Sequence, residues 1–350
     1  MKQYGFGIIG CGMIAEFHAA SIRDIPQARL VACAEPVEER RKQFVEKHGC
    51  DGAADYHELV KREDVDIVCV CTPTGAHLDP ATAAARAGKH VVVEKPIEVT
   101  LERADKLIGA CDENNVRLCA IFPSRFAEAA RTLKAAIEQG RFGRIVVGDC
   151  YNKWWRSQEY YDSGGWRGTW ELDGGGACMN QGIHAIDMIQ WFMGPVETVV
   201  AFTDCLAHER IEVEDTAVAA LRYKSGAMGV IECTTSVHPG LSRKIEIHGD
   251  KGTVVMENLA FTTWEFAEGR AEDEQIKKKF APGTTLERAG AADPRAISHA
   301  NHREQLSDFL NAIETGSEPI VDGREGRKAI EIITAIYRSG QTGQPVRLPL

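Results

Sequence analysis

Phe6-Gly7-Ile8-Ile9-Gly10-Cys11-Gly12-Met13-Ile14-Ala15 is a short apolar run that breaks on two glycines and continues as a helical pattern to Ile22. A run of that length reads as a buried strand, and the pattern behind it as a helix packed on the strand. Gly10-x-Gly12-x-x-Ala15 falls where strand turns into helix. Glycines there permit a tight turn and close approach of backbone to a pyrophosphate. The helix N-terminus adds amide donors and a partial positive charge. Gly10, Gly12, Met13 and Ile14 are therefore expected to touch a dinucleotide. A second apolar run, residues 29–34, ends at Glu35-Pro36. A carboxylate at that point accepts from the adenosine ribose hydroxyls and repels a 2′-phosphate, which favours NAD over NADP.

Moving outward, strands and helices alternate. Helical patterns cover 38–48, 81–87 and 100–114, and apolar runs cover 65–71, 90–93 and 117–122. Near-continuous Val/Ile runs separated by helices predict a parallel sheet covered on both faces. Ligands bind outside the carboxyl ends of such strands. Thr72-Pro73-Thr74 and Glu94-Lys95-Pro96 occupy two of those ends. Thr72 and Pro73 are expected to line the ribose and pyrophosphate, with Glu94 and Lys95 facing the same ligand. His77 reads either as a cofactor-side contact or as a surface or helix-start histidine. Lys95 reads either as a group that polarises a carbonyl or as a solvated turn lysine.

The second half has a different grammar. Strand patterns at 196–203, 216–223, 227–236, 244–248, 253–256 and 261–265 follow one another with short turns between them. That spacing predicts an antiparallel sheet. The fold class is therefore α/β, with a doubly wound Rossmann sheet in residues 1–122. An α+β domain with a large open, mostly antiparallel sheet follows in residues 123–350. The polar stretch 268–298 reads as a long excursion.

The densest chemistry lies between Asp149 and Asp187. Asp173-Gly174-Gly175-Gly176 leads into Met179-Asn180-Gln181-Gly182-Ile183-His184-Ala185-Ile186-Asp187. On a regular helix, Asn180, His184 and Asp187 share a face. His184 is the natural proton acceptor. Asn180 suits a substrate hydroxyl, and Asp187 either fixes the imidazole or belongs to a structural network. Four of the six tryptophans fall between Trp154 and Trp170, beside Arg156 and Arg167. Aromatic faces stack on sugar rings, and arginine forks bind hydroxyls, carboxylates or phosphates. Arg156, Trp166 and Arg167 are thus candidate substrate contacts, with Arg243 a further arginine of the same type. A solvated surface or subunit interface is the alternative.

Composition narrows the classes. The 350 residues carry 41 Lys+Arg against 51 Asp+Glu, a formal net charge of −10. That balance argues against nucleic-acid binding. A hydrophobic share of 44% excludes global disorder. No stretch approaches the ~20 apolar residues of a membrane span. Met1–Phe6 opens without the apolar region of a signal peptide. Eleven cysteines, with no CxxC pair and no zinc-type spacing, read as reduced residues of a cytoplasmic protein without a metal site.

Taken in order, Gly10-x-Gly12-x-x-Ala15, Glu94-Lys95-Pro96 and Gly174-Gly175-Gly176 followed by Asn180-x-x-x-His184-x-x-Asp187 resemble the glucose–fructose oxidoreductase / inositol dehydrogenase / MocA (Gfo/Idh/MocA) family. The tail, His302-Arg303 and Phe309 through Val321-Asp322-Gly323-x-Glu325-Gly326, adds to the likeness. The resemblance covers nearly the whole chain. It implies hydride transfer between NAD(P) and a carbon of a sugar, cyclitol or sugar derivative, with Lys95 and His184 as the catalytic pair. It also implies C-terminal helices at about 302–339 that pack near the nucleotide domain. A homodimer or homotetramer through the C-terminal sheet is implied as well. Many members carry Asp at the position of Asn180. An amide cannot take a proton, so Asn180 is left to orient substrate. Two alternatives share the fold: an NAD-dependent glycosidase with transient redox, and a non-catalytic NAD-binding protein.

Overall fold

The computed structural model describes residues 2–283 and 298–350. The chain forms two compact units. One contains Met1–Pro123 and Ser298–Arg327, the other Ser124–Ile297 and Lys328–Leu350.

The first unit is built on six strands: β1 (Tyr4–Ile9), β2 (Ala28–Ala34), β3 (Asp51–Ala53), β4 (Ile67–Val70), β5 (His90–Val93) and β6 (Leu118–Ala120). The order is β3-β2-β1-β4-β5-β6, and every pairing is parallel. Order reverses beside β1, which places the glycine turn at the switch point where such sheets bind ligands. Helices α1 (Met13–Arg23), α2 (Glu38–His48), α3 (Tyr56–Val60), α4 (Leu78–Arg86) and α5 (Leu101–Glu113) connect the strands. Every residue of β1 and β4 is buried, as expected for strands covered on both faces. Thr100 caps α5 by accepting from the Arg103 amide at 3.3 Å. Strand β3 and helix α3 have no counterpart in the sequence reading. Asp51-Gly52-Ala53 has no apolar run, and α3 has only five residues, too few for a helical period.

The second unit begins with α6 (Glu128–Glu138), a helix also absent from the sequence reading. Its Ala129, Ala130, Leu133 and Ala136 form the buried stripe. Then come β7 (Ile145–Lys153), α7 (Gln158–Asp162), a π-helical turn at Ala177–Gly182 and α8 (Ile183–Met193). Strands β8 (Val196–Asp204), β9 (Thr216–Tyr223), β10 (Met228–Thr234), β11 (Lys244–Gly249), β12 (Gly252–Glu257) and β13 (Ala260–Phe266) follow, then α9 (Asp273–Lys279). The last elements are α10 (Ala300–Thr315), α11 (Gly323–Thr342) and β14 (Val346–Arg347). The eight-stranded sheet has the order β13-β12-β11-β7-β10-β9-β8-β14. Only the β7–β10 pair is parallel; the other pairings are antiparallel.

Helix α8 lies against β7 and β11. A Cβ on Gly148 of β7 would come within 2.3 Å of the Met193 sulfur, so the helix end sits directly on the strand. On β8 and β9 buried and exposed residues alternate, with Val200, Phe202 and Val218 on the open side.

Helix α10 belongs to the first unit. Its Leu306, Phe309 and Leu310 join the core of β1 and α1, and Ser21 donates to the His299 carbonyl. Helix α11 divides at Arg327/Lys328 between the two units. Of the excursion at 268–298, the part at Asp273–Lys279 is helix, and residues 284–297 lie outside the described residues.

Candidate active site

In the first unit, Gly10 has φ +90°, and a Cβ there would stand 2.9 Å from the Cys71 carbonyl oxygen. Only glycine fits that turn. Gly12 begins α1, and no side chain caps the helix. A Cβ on Gly12 would meet nothing within 4 Å, so the space before the helix is open. The Glu35 carboxylate is 5% exposed and accepts the Cys11 amide at 3.0 Å and the Val37 amide at 3.1 Å. It therefore stands against the glycine turn itself. An open helix N-terminus with a carboxylate one strand away fits an adenine dinucleotide.

The other strand ends are tied together. His77 is buried, with Nδ1 3.0 Å from the Pro96 carbonyl and Nε2 2.9 Å from the Thr72 carbonyl. It is not a surface histidine: the ring is wedged between the Thr72 and Pro96 carbonyls, and burial lowers its pKa, so the neutral ring donates to one of the two. Glu94, expected to face the cofactor, is also corrected. Its carboxylate turns inward, 2.8 Å from His18 Nε2, while its second oxygen accepts the Lys95 amide at 3.2 Å. Burial alone would lower His18 and raise Glu94. Instead His18 lies well above its ordinary pKa, where the adjacent Cys71 and Cys69 outweigh burial, and Glu94 lies below, where its hydrogen bond and charge contact with His18 outweigh burial. His302, whose ring centroid is 5.9 Å from that of His18, is pushed down to about 4 by burial. Lys95 thus stands directly after a buried His–Glu pair.

In the second unit the glycine run serves close approach. A Cβ on Gly176 would fall 1.8 Å from the Glu214 carbonyl oxygen. The buried Glu214 carboxylate accepts the Gly176 amide at 2.9 Å, the Cys178 amide at 2.8 Å and the Tyr337 hydroxyl at 3.0 Å. Burial raises its pKa to about 7 against those three donors.

The helix that follows is not regular at its start. Residues 177–182 form a π turn, and the α-helix begins at Ile183. The wider turn precedes His184, and of the three residues expected on one face, Asn180 and His184 are partly exposed while Asp187 is buried. From Asp173 to Gln190 every residue is buried except Asn180 and His184, which are both partly exposed. Asp187 points elsewhere. Arg125 Nε donates to its Oδ2 at 2.9 Å and Arg125 Nη2 to its Oδ1 at 2.6 Å, with both side chains 1% exposed. Asp187 belongs to a structural network, as the second of its two sequence readings held, and not to the substrate contacts.

Asn180 Nδ2 donates to Asp173 Oδ1 at 2.6 Å, and Gln181 Nε2 donates to Asn180 Oδ1 at 3.0 Å. Gln181 also donates to the Tyr160 hydroxyl and accepts from Arg156 Nη2, each at 3.0 Å. The Arg156 guanidinium lies 5.1 Å from the Trp154 ring centroid and 5.4 Å from that of Tyr160. Burial lowers its pKa. Arg167 stacks on Tyr160 at 4.7 Å and on Trp166 at 4.8 Å. Arg156, Arg167, Trp166 and Asn180 are thus joined through Tyr160 and Gln181. Sequence reasoning missed Tyr160, Gln181, Asp173 and Glu214. Arg243 lies apart from this group, with Nη2 3.4 Å from the Ser124 hydroxyl. The register of β7 and β11 also brings Asp149, Glu246 and His248 together, a set no sequence spacing announced. Its acids already accept from the Val230 amide and Lys244.

Comparison with known proteins bears on both units. Residues 4–122 match the family described as "Oxidoreductase family, NAD-binding Rossmann fold", and residues 130–255 match the "GFO/IDH/MocA C-terminal domain". The chain is 31% identical to a myo-inositol 2-dehydrogenase of Thermotoga maritima over 98% of each chain. It is 27% identical to a 1,5-anhydro-D-fructose reductase of Ensifer adhaerens, again over 98% of each. Among solved structures, the WlbA dehydrogenase of Bordetella pertussis in complex with NADH and UDP-GlcNAcA is 37% identical, with TM-score 0.89 and full coverage of both chains.

Proposed function

The chain belongs to the Gfo/Idh/MocA oxidoreductase family, and on that premise we propose that Lys95 and His184 carry its chemistry. The protein is an NAD-dependent oxidoreductase acting on a CH–OH group of a sugar, cyclitol or sugar derivative. One observation supports the choice of residues above the others. In a buried stretch from Asp173 to Gln190, Asn180 and His184 alone reach solvent.

When bound, NAD supplies the hydride acceptor at its nicotinamide ring. Gly10, Gly12, Met13 and Ile14 would hold the pyrophosphate, Glu35 the adenosine ribose, and Thr72 and Pro73 the chain between. The carboxylate of Glu35 favours NAD over NADP. His184 takes the hydroxyl proton as the carbon gives up its hydride, and Lys95 stabilises the developing oxyanion and shuttles the proton. Asn180, held between Asp173 and Gln181, orients the hydroxyl. Lys95→Ala is expected to cut turnover by about 10²–10⁴-fold while leaving NAD affinity nearly unchanged. Near-normal turnover of that variant overturns the assignment.

Two finer readings accompany this one. Val200, Phe202, Val218 and Met228 are exposed on the second sheet, Phe202 at 79%. Apolar exposure of that kind supports a homodimer or homotetramer through this face. All eleven cysteines are free, which supports a cytoplasmic location. No helix among the described residues is long and apolar enough to cross a membrane.

A further inference from the structure

We propose that the Arg156–Tyr160–Arg167 cluster is a carboxylate subsite, and that the substrate is an acidic sugar of the hexuronate type. The inference rests on the oxidoreductase reading above and adds the substrate class to it.

Three observations carry it, all within the second unit. First, two guanidinium groups converge on one phenol ring, Arg156 at 5.4 Å and Arg167 at 4.7 Å from the Tyr160 centroid. Like charges so placed favour an anion beside them. Arg167 has no ion pair among the described residues, and its Nη1 donates only to the Ser163 hydroxyl at 3.0 Å.

Second, buried polar atoms here, mostly donors, lack partners. Arg167 Nε, Trp154 Nε1 and both polar atoms of the Asn152 amide have no hydrogen-bond partner among the described residues. Asn152 is 0% exposed. Buried polar groups are paired almost without exception, so orphans grouped in one region mark where a ligand or ordered water supplies the partners. Asn152 pairs in register with Cys233, whose sulfur lies 2.3 Å from where a Cβ on Gly182 would be. Asn152 and Trp154 therefore lie on the side of the sheet that faces the π turn bearing Asn180 and Gln181.

Third, the phenol is oriented. Gln181 Nε2 donates to the Tyr160 oxygen, which leaves the Tyr160 proton to be given outward. A planar two-oxygen acceptor suits arginine forks, a phenol O–H and an indole N–H. Trp154, Tyr160 and Trp166 add apolar faces for a sugar ring. Phosphate is the rival anion. The flat, stacked donors and neutral amides fit a carboxylate attached to a ring better than a tetrahedral dianion.

The test is calorimetric binding in the presence of NADH, which does not depend on turnover. The probes are D-glucuronate and D-galacturonate, their neutral hexoses, and glucose 6-phosphate. At least one hexuronate is expected to bind about ten- to a hundredfold tighter than its hexose, in line with charge-assisted hydrogen bonds. Raised salt should narrow that ratio. Arg167→Gln should weaken hexuronate binding by a larger factor than hexose binding, and so remove most of the preference. Arg156→Lys should do the same, and Arg167→Gln alone decides the matter if the more buried Arg156 variant fails to fold. No hexuronate preference, or tighter binding of glucose 6-phosphate, overturns the carboxylate subsite. Failure of the catalytic reading looks different: Lys95→Ala would keep its turnover while the binding preference stood.

Discussion

Replacing Asp187 with alanine separates two roles that the sequence alone leaves open. The Arg125–Asp187 pair is buried on both sides, 1% exposed each, with short bonds from Nε and Nη2 to the two carboxylate oxygens. The Arg125 guanidinium also lies 5.5 Å from the Trp191 ring centroid. Removing the carboxylate leaves a guanidinium buried and unpaired, which costs about 3–5 kcal/mol. For a unit of this size each kcal/mol moves the midpoint by roughly 2–4 °C, so the second unit should unfold roughly 6–20 °C lower. Thermal and urea unfolding followed by circular dichroism measure it. Asp187→Asn keeps one acceptor and should lose less. Joint replacement by Arg125→Met and Asp187→Leu should recover much of the loss, because no charge then remains buried. Substrate KM should stay at the parental value, with Vmax following the folded fraction. An Asp187→Ala protein that unfolds at the parental temperature while KM rises tenfold would refute the structural role and return Asp187 to the substrate.

Glu214 predicts a pH dependence. Burial raises its pKa to about 7, so between the unfolded carboxylate pKa and that value the folded state holds the extra proton. Stability therefore falls as pH rises through that window, by on the order of 1 kcal/mol per pH unit, and Glu214→Gln should flatten the slope. An unchanged slope in urea titrations between pH 5 and about 7 contradicts it. Glu35→Ser should raise the ratio of NADP to NAD efficiency at least about tenfold, the size of one lost charge contact; a constant ratio in steady-state kinetics removes Glu35 from cofactor choice. His18→Gln strips the cation from buried Glu94 and should destabilise the first unit by about 3–5 kcal/mol. A loss below about 1 kcal/mol in urea unfolding would mean that no ion pair exists there.

The strands and the glycine turn were readable because their signals are local. β5 and α2 have the same bounds in sequence and structure, since His90–Val93 and Glu38–His48 are each bracketed by breakers or charge. β3 and α3 were not readable because three exposed or half-exposed residues and a five-residue helix leave no period. At the site, Lys95, His184 and Asn180 were marked by type and motif. Their support was hidden because it comes from distant residues: Glu94 is held by His18, the Gly176 turn by Glu214 and Tyr337, and Asp187 by Arg125. The π turn was hidden for another reason. Ala177–Gly182 reads as ordinary helix, and only packing of Gly176 on the Glu214 carbonyl and of Gly182 on Cys233 shows why the chain widens there.

The central claim is direct hydride transfer from a sugar carbon, and isotope transfer tests it most directly. The protein is incubated with NAD and a turned-over sugar deuterated at the reacting carbon, and the NADH is examined by mass spectrometry and NMR. The account predicts one deuterium at nicotinamide C4 per NADH formed, with net NADH accumulating in step with ketone. Glycosidic cleavage without net NADH, or NADH free of the label, would contradict it.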